Sequence, residues 1–274
     1  MSLQLDARQR AMLAEMGVRV WGPEPPLGLM DDASASPPRG REAAVPAAPV
    51  AVARPATPVA EPVVLPAVTR ALPTEIAGMD WVALEQAVAG CQACGLCKGR
   101  KNTVFGVGDT QARWLVVGEA PGENEDLQGE PFVGQAGQLL DNMLRALGLN
   151  RQAQREQAVY IANVLKCRPP ANRNPQPDEV LQCEPYLRRQ VALLQPRIIL
   201  ALGRFAAQSL LQHSVPDIAT VPLGRLRGQV HRYEGVPVVV SYHPAYLLRT
   251  PQDKAKAWAD LCLARELMLD RAAN

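Results

Sequence analysis

Four short, unbroken apolar runs decide most of what this chain can fold into. They are Trp114 to Gly118, Val159 to Leu165, Arg197 to Leu202 and Val236 to Tyr242. A strand that is half exposed alternates apolar and polar residues, whereas a strand covered on both faces reads as a continuous apolar run. Segments of helical period separate the runs. Leu139, Leu140, Met143, Leu144 and Leu147 mark one face of a helix from Gly137 to Leu147, closed by Gly148. Pro177 to Leu194, Gly203 to Leu211 and Pro251 to Leu269 give three more. Ahead of them, Trp81, Leu84, Ala87 and Val88 form a helical face that stops at Gly90. The polar segment Thr220 to Tyr233 reads as a hairpin or loop. Strand and helix in alternation predict an α/β chain, an α/β/α sandwich around a four-stranded parallel sheet.

The folded domain is expected to span residues 74–274. Before it, prolines crowd into a stretch of Ala, Pro and Val over residues 27–73 that has no strand or helix period, the composition of a disordered tether. Residues 1–26 hold Leu5, Met12, Leu13, Met16 and Val20 at helical spacing before Gly22-Pro23, so a short helix is expected there, a candidate peptide for binding a protein partner. An apolar content of 47% in 274 residues suffices for a real core. No apolar run reaches the ~18 residues of a membrane span, and no signal peptide pattern opens the chain, so no membrane role is expected and a cytoplasmic monomer is. A net charge of +2 leaves nucleic-acid binding to local clusters of Lys and Arg.

The ends of the runs carry chemistry. Gly118-Glu119-Ala120-Pro121-Gly122 stops the first and leads into Glu123, Glu125 and Asp126; Asn163 lies in the second and His243 follows the fourth. In open α/β sheets ligands bind outside the carboxyl ends of the strands, so these side chains share one edge. A solvated acidic loop is the plainer account of the carboxylates taken alone. Cys91, Cys94 and Cys97 form C-x-x-C-x-x-C, and Cys167 and Cys183 follow far downstream. A close pair plus two distant thiolates makes a four-sulfur site for zinc or an iron–sulfur cluster, with five candidates for four places. Cys262, among Leu261, Leu263 and Leu267, reads as a small buried hydrophobe.

From Cys91 to Arg249 the chain resembles the family 4, iron–sulfur uracil-DNA glycosylases. The matching pieces are Gly118-Glu119-Ala120-Pro121-Gly122 with Glu125-Asp126, Pro131-Phe132-Val133-Gly134, Asn163-Val164-Leu165-Lys166-Cys167-Arg168-Pro169-Pro170, and His243-Pro244-Ala245-Tyr246-Leu247-Leu248-Arg249. The resemblance implies hydrolysis of the N-glycosidic bond of uracil in DNA, after the base is flipped into a pocket. It puts a structural [4Fe–4S] cluster on Cys91, Cys94, Cys167 and Cys183 and leaves Cys97 as an extra thiol. Phe132 is then expected to stack on uracil, Asn163 to read its edge, Ala120 to offer only backbone, and His243 to stabilise charge on O2. Where other members of the superfamily have Asp or Asn, this chain has Ala120, so water activation falls to Glu125, with Glu119 as second choice. Lys166, Arg168, Arg173 and Arg249 are expected to grip DNA phosphates, and Tyr246, Leu247 and Leu248 to fill the gap left by the base. A uracil-DNA-binding protein, or a cluster-bearing scaffold without turnover, is the alternative. A basic, His-containing insertion, which one relative uses to trap its product covalently, is missing between Cys167 and Cys183.

Overall fold

A computed structural model describes residues 74–270 of the chain. The expected N-terminal helix and tether, residues 1–26 and 27–73, lie outside the described residues. Helices α1 (Thr74–Ala77) and α2 (Trp81–Ala89) come first, and Asp80 caps α2 by accepting the Ala83 N–H at 2.9 Å. There follow β1 (Val107–Gly108), β2 (Trp114–Gly118), α3 (Glu123–Gln128), α4 (Gln135–Ala146), β3 (Val159–Asn163), α5 (Pro177–Leu194), β4 (Ile198–Leu202) and α6 (Arg204–Leu211). The chain closes with α7 (Leu223–Leu226), β5 (Val230–Tyr233), β6 (Val236–Ser241), α8 (Pro244–Arg249) and α9 (Lys254–Asp270).

The strands form one six-stranded sheet in the order β1-β3-β2-β4-β6-β5. Its middle four strands are parallel, as the continuous apolar runs require, and β2, β3 and β4 are buried along their whole length. The sheet exceeds the four expected strands because an antiparallel strand is added at each edge. Neither had an apolar signature. β1 is two residues long, and Gly108 at φ +121° presses so close to the Val159 carbonyl that any Cβ would collide with it. β5 is mostly exposed and pairs with β6 through a two-residue turn, Glu234-Gly235, whose φ angles of 47° and 78° fit a type I′ hairpin. The expected hairpin thus lies at Val230–Ser241, and Leu223–Leu226 ahead of it is helical.

Alternate strand residues feed two cores. On one face Leu115, Val117, Ala162, Ile199 and Val240 pack with α2, α5 and α6 through Leu84, Leu187, Val191 and Leu210. On the other, Val116, Ile161, Leu200 and Val239 meet α4 and α9 through Leu140, Met143, Leu144, Trp258 and Leu261. Helices therefore cover both faces, the sandwich that a fully buried parallel sheet needs. Among the described residues no helix is long and apolar enough to cross a membrane.

Candidate active site

Sheet register builds the site. Gly118 at the end of β2 lies opposite Asn163 at the end of β3, so Glu119 leaves the sheet beside the Asn163 side chain. The next amides keep that pairing, with Val164 N–H donating to Gly118 O at 3.0 Å and Leu165 N–H to Glu119 O at 3.1 Å. Two strands away, β6 ends at Ser241 and His243 follows as the N-cap of α8. Glu119, Asn163, His243 and Phe132 line one cavity of about 480 Å³, together with Ala120, Glu125, Arg173, Tyr246 and Arg249.

Two glycines make room for its walls. A Cβ on Gly118 would collide with Asn163 Oδ1 and stand 2.6 Å from Phe132 Cζ. Gly203, at φ +91°, leaves only 3.1 Å between such a Cβ and that of His243. The Phe132 ring stacks on the His243 imidazole, with centroids 5.4 Å apart and planes 27° apart. His243 Nδ1 accepts the Ala245 N–H at 3.1 Å, so the ring proton of the neutral form sits on Nε2. Burial, with the positive charge of Arg249 adding to it, pushes the imidazole down to about 4. Burial alone pushes the Glu119 carboxyl up to about 7.

Glu125 is differently placed. Its two oxygens accept backbone N–H groups, Gly122 at 3.1 Å and Val133 at 3.2 Å, which caps α3 and ties it to the Pro131–Gly134 turn.

Two expected DNA contacts are corrected by burial. Lys166 is 1% exposed, and its ammonium donates to Asn163 O at 2.8 Å and Gln190 Oε1 at 2.7 Å. It supports the strand end from behind and cannot meet a phosphate there. Leu247 is fully buried in the core layer beneath α8, so it cannot be a wedge, whereas Leu248 is 42% exposed. A helix that begins at Pro244 turns adjacent residues to different sides, which the Tyr-Leu-Leu string alone does not reveal. Tyr246 stacks on Tyr242 and donates its hydroxyl to Asp253 at 2.6 Å. Arg173 makes a fork on Glu179, with Nη1 to Oε2 at 2.9 Å, and Arg168 Nε donates to Asn172 Oδ1 at 2.7 Å. Asn172 and Asn174 also line the cavity and were not singled out from the sequence. Their only signal was polarity within Ala171-Asn172-Arg173-Asn174.

Five thiols, Cys91, Cys94, Cys97, Cys167 and Cys183, surround a second cavity with Arg100 and Lys166. Among the described residues no group of three or more Cys, His, Asp or Glu side chains is arranged to hold a single metal ion. Cys183 Sγ accepts the Lys166 backbone N–H at 3.3 Å, and Cys167 Sγ accepts from Arg100 Nη1 at 3.1 Å. Such donors suit sulfur that carries negative charge, and five thiols with cationic neighbours around one cavity fit an iron–sulfur group. Cys262 is half-buried against the α9 side of the core.

Residues 105–262 match the profile of the uracil DNA glycosylase superfamily. A type-4 uracil-DNA glycosylase of Archaeoglobus fulgidus is 45% identical over 184 residues, 66% of this chain and 89% of that protein. One from Saccharolobus solfataricus is 43% identical over 178 residues, 63% of this chain and 78% of the relative. A type-5 uracil-DNA glycosylase of Pyrobaculum aerophilum is 35% identical over 150 residues, covering 51% of this chain and 64% of that protein. With a carboxyl-edge cavity built from its own motifs and these relatives spanning it, the chain belongs to the uracil-DNA glycosylase superfamily, in the type-4 group.

Proposed function

We propose that the protein excises uracil from DNA by hydrolysing its N-glycosidic bond, leaving an abasic site. The convergence of an amide, a phenyl ring, an imidazole and a carboxylate on one cavity supports this reading, because each answers a need of the reaction. The flipped base needs an aromatic face, which Phe132 supplies, a contact worth roughly 1–3 kcal/mol per base in single-strand binders. Its edge needs reading. The Asn163 amide can donate to uracil O4 and accept from N3–H, and cytosine inverts both groups, so the wrong base leaves buried polar atoms unpaired. Negative charge gathers on O2 as the bond to C1′ breaks, and the neutral His243 offers Nε2–H to it. Water adds its hydroxyl to C1′; its proton passes to a carboxylate and then to the departing uracil.

We assign that carboxylate to Glu119. Its raised proton affinity suits a general base near neutral pH, whereas both Glu125 oxygens already serve backbone amides. Arg173 and Arg249 in the lining, and Arg168 next to the lining residue Pro169, would meet phosphates, with Leu248 as the exposed apolar tip and Tyr246 beside the cavity. Cys91, Cys94, Cys167 and Cys183 would hold a [4Fe–4S] cluster. That cluster would supply structural tethering and no electron transfer, joining the segment before β1 to the loop after β3. Reduced thiols of this kind suit the cytoplasm.

Incubation with a strand carrying one uracil, followed by alkali, is expected to cut the strand at that position. Tight binding without scission would favour the non-catalytic binding or scaffold reading instead. A visible absorption band from the purified protein would separate iron–sulfur from zinc.

A further inference from the structure

We propose that Arg151, in the loop between α4 and β3, is a positioning residue that holds Phe132 in the conformation in which its ring faces the base. The inference rests on the excision reading given above. Arg151 lies outside the cavity's motifs in sequence, yet its side chain is only 9% exposed. Two of its guanidinium nitrogens reach main-chain oxygens of the Phe132 turn, Nη1 to Pro131 O at 3.0 Å and Nη2 to Phe132 O at 3.1 Å. Two further donors are held by carboxylates, Nε by Asp141 Oδ1 at 2.8 Å and Nη1 also by Glu130 Oε1 at 3.4 Å. The fork is thereby fixed on both sides.

That turn needs holding. Phe132 sits at φ 56°, a left-handed conformation that a bulky side chain adopts only when its surroundings impose it. Gly137 permits the same geometry from below, since a Cβ there would collide with the Phe132 carbonyl. If the two carbonyls lose their donors, the backbone can relax to negative φ. The ring then swings away from His243. A lysine cannot replace the fork, because one ammonium nitrogen does not span two adjacent carbonyls and two carboxylates.

The test uses the full-length protein with Arg151→Lys, and Asp141→Asn as a control that keeps the fork on the carbonyls. The chain has three histidines, so the imidazole carbon–proton NMR signals are few. The His243 signal, which feels the ring current of Phe132, is expected to move in Arg151→Lys, while His213 and His231 stay in place and Asp141→Asn leaves all three unchanged. In single-turnover uracil release, Arg151→Lys is expected to lose about tenfold in rate when Phe132 is present and less than about twofold in a Phe132→Ala background, the non-additivity of residues that act through one another. Equal losses in both backgrounds, an unmoved His243 signal, or an Asp141→Asn variant that matches Arg151→Lys would overturn the proposal. If the unaltered protein releases no uracil, the excision reading fails, and the imidazole spectrum still decides whether Arg151 sets Phe132.

Discussion

Glu119 and His243 are titratable residues placed where ordinary solvation is denied them, and each shift has a measurable sign. Glu119 keeps its proton up to about pH 7 because burial disfavours the carboxylate. If the carboxylate is the base, kcat/KM should climb through pH 7 and then level off. Glu119→Gln should be roughly 10²-fold slower and flat with pH, within the range for loss of a general base. A rise that persists in Glu119→Gln would assign the titration elsewhere. His243 shifts the other way, to about 4 against 6.5 for an exposed imidazole. Between those values the unfolded chain binds the extra proton, so stability is complete above about pH 6.5 and falls as pH drops toward 4, by at most roughly 3 kcal/mol. Urea melts of the wild type against His243→Gln should show that difference shrinking over this window. These two residues were legible because each directly follows an apolar run. Arg151 was not, since an arginine in a polar loop carries no sign of the carbonyls it will meet.

The turn between α3 and α4 depends on Glu125 as a brace. Glu125→Ala strips the acceptor from two backbone amides, Gly122 and Val133, and should cost about 2 kcal/mol, the scale of a lost cap plus an unsatisfied donor. Glu125→Gln keeps one acceptor oxygen and should lose about half as much, with most of its turnover retained. A Glu125→Gln protein of full stability and no turnover would restore the carboxylate to the chemistry. Sequence placed α4 and α5 within a residue or two, because their apolar period and the Pro177 start are local signals. It put Glu125 first for the chemistry and Glu119 second, since nothing in the sequence shows that Val133 folds back onto the Glu125 carboxylate. The edge strands escaped for a related reason: β1 and β5 exist through pairing with β3 and β6 and carry no core-forming pattern of their own.

Across the whole molecule, charge at the cavity mouth is sparse against a near-neutral net charge of +2. With Lys166 taken into the interior, three arginines remain as the proposed phosphate contacts, Arg173 and Arg249 in the cavity lining and Arg168 paired with Glu123 next to it. Neutralising about three phosphates predicts that DNA affinity drops roughly 40-fold between 50 and 200 mM salt, read as Kd by fluorescence anisotropy. A slope near zero would mean that Arg173 stays on Glu179 and Arg168 on Asn172 and Glu123. The order of the six strands was legible only in part, since apolar runs declare which strands are central but not which lie side by side. Lys166 shows what that omission hides. It touches the backbone of the expected base reader with its ammonium and a cysteine of the sulfur cavity with its amide. A disturbance of the thiol set would therefore bear on the recognition edge through one lysine, without any ligand passing between the two sites.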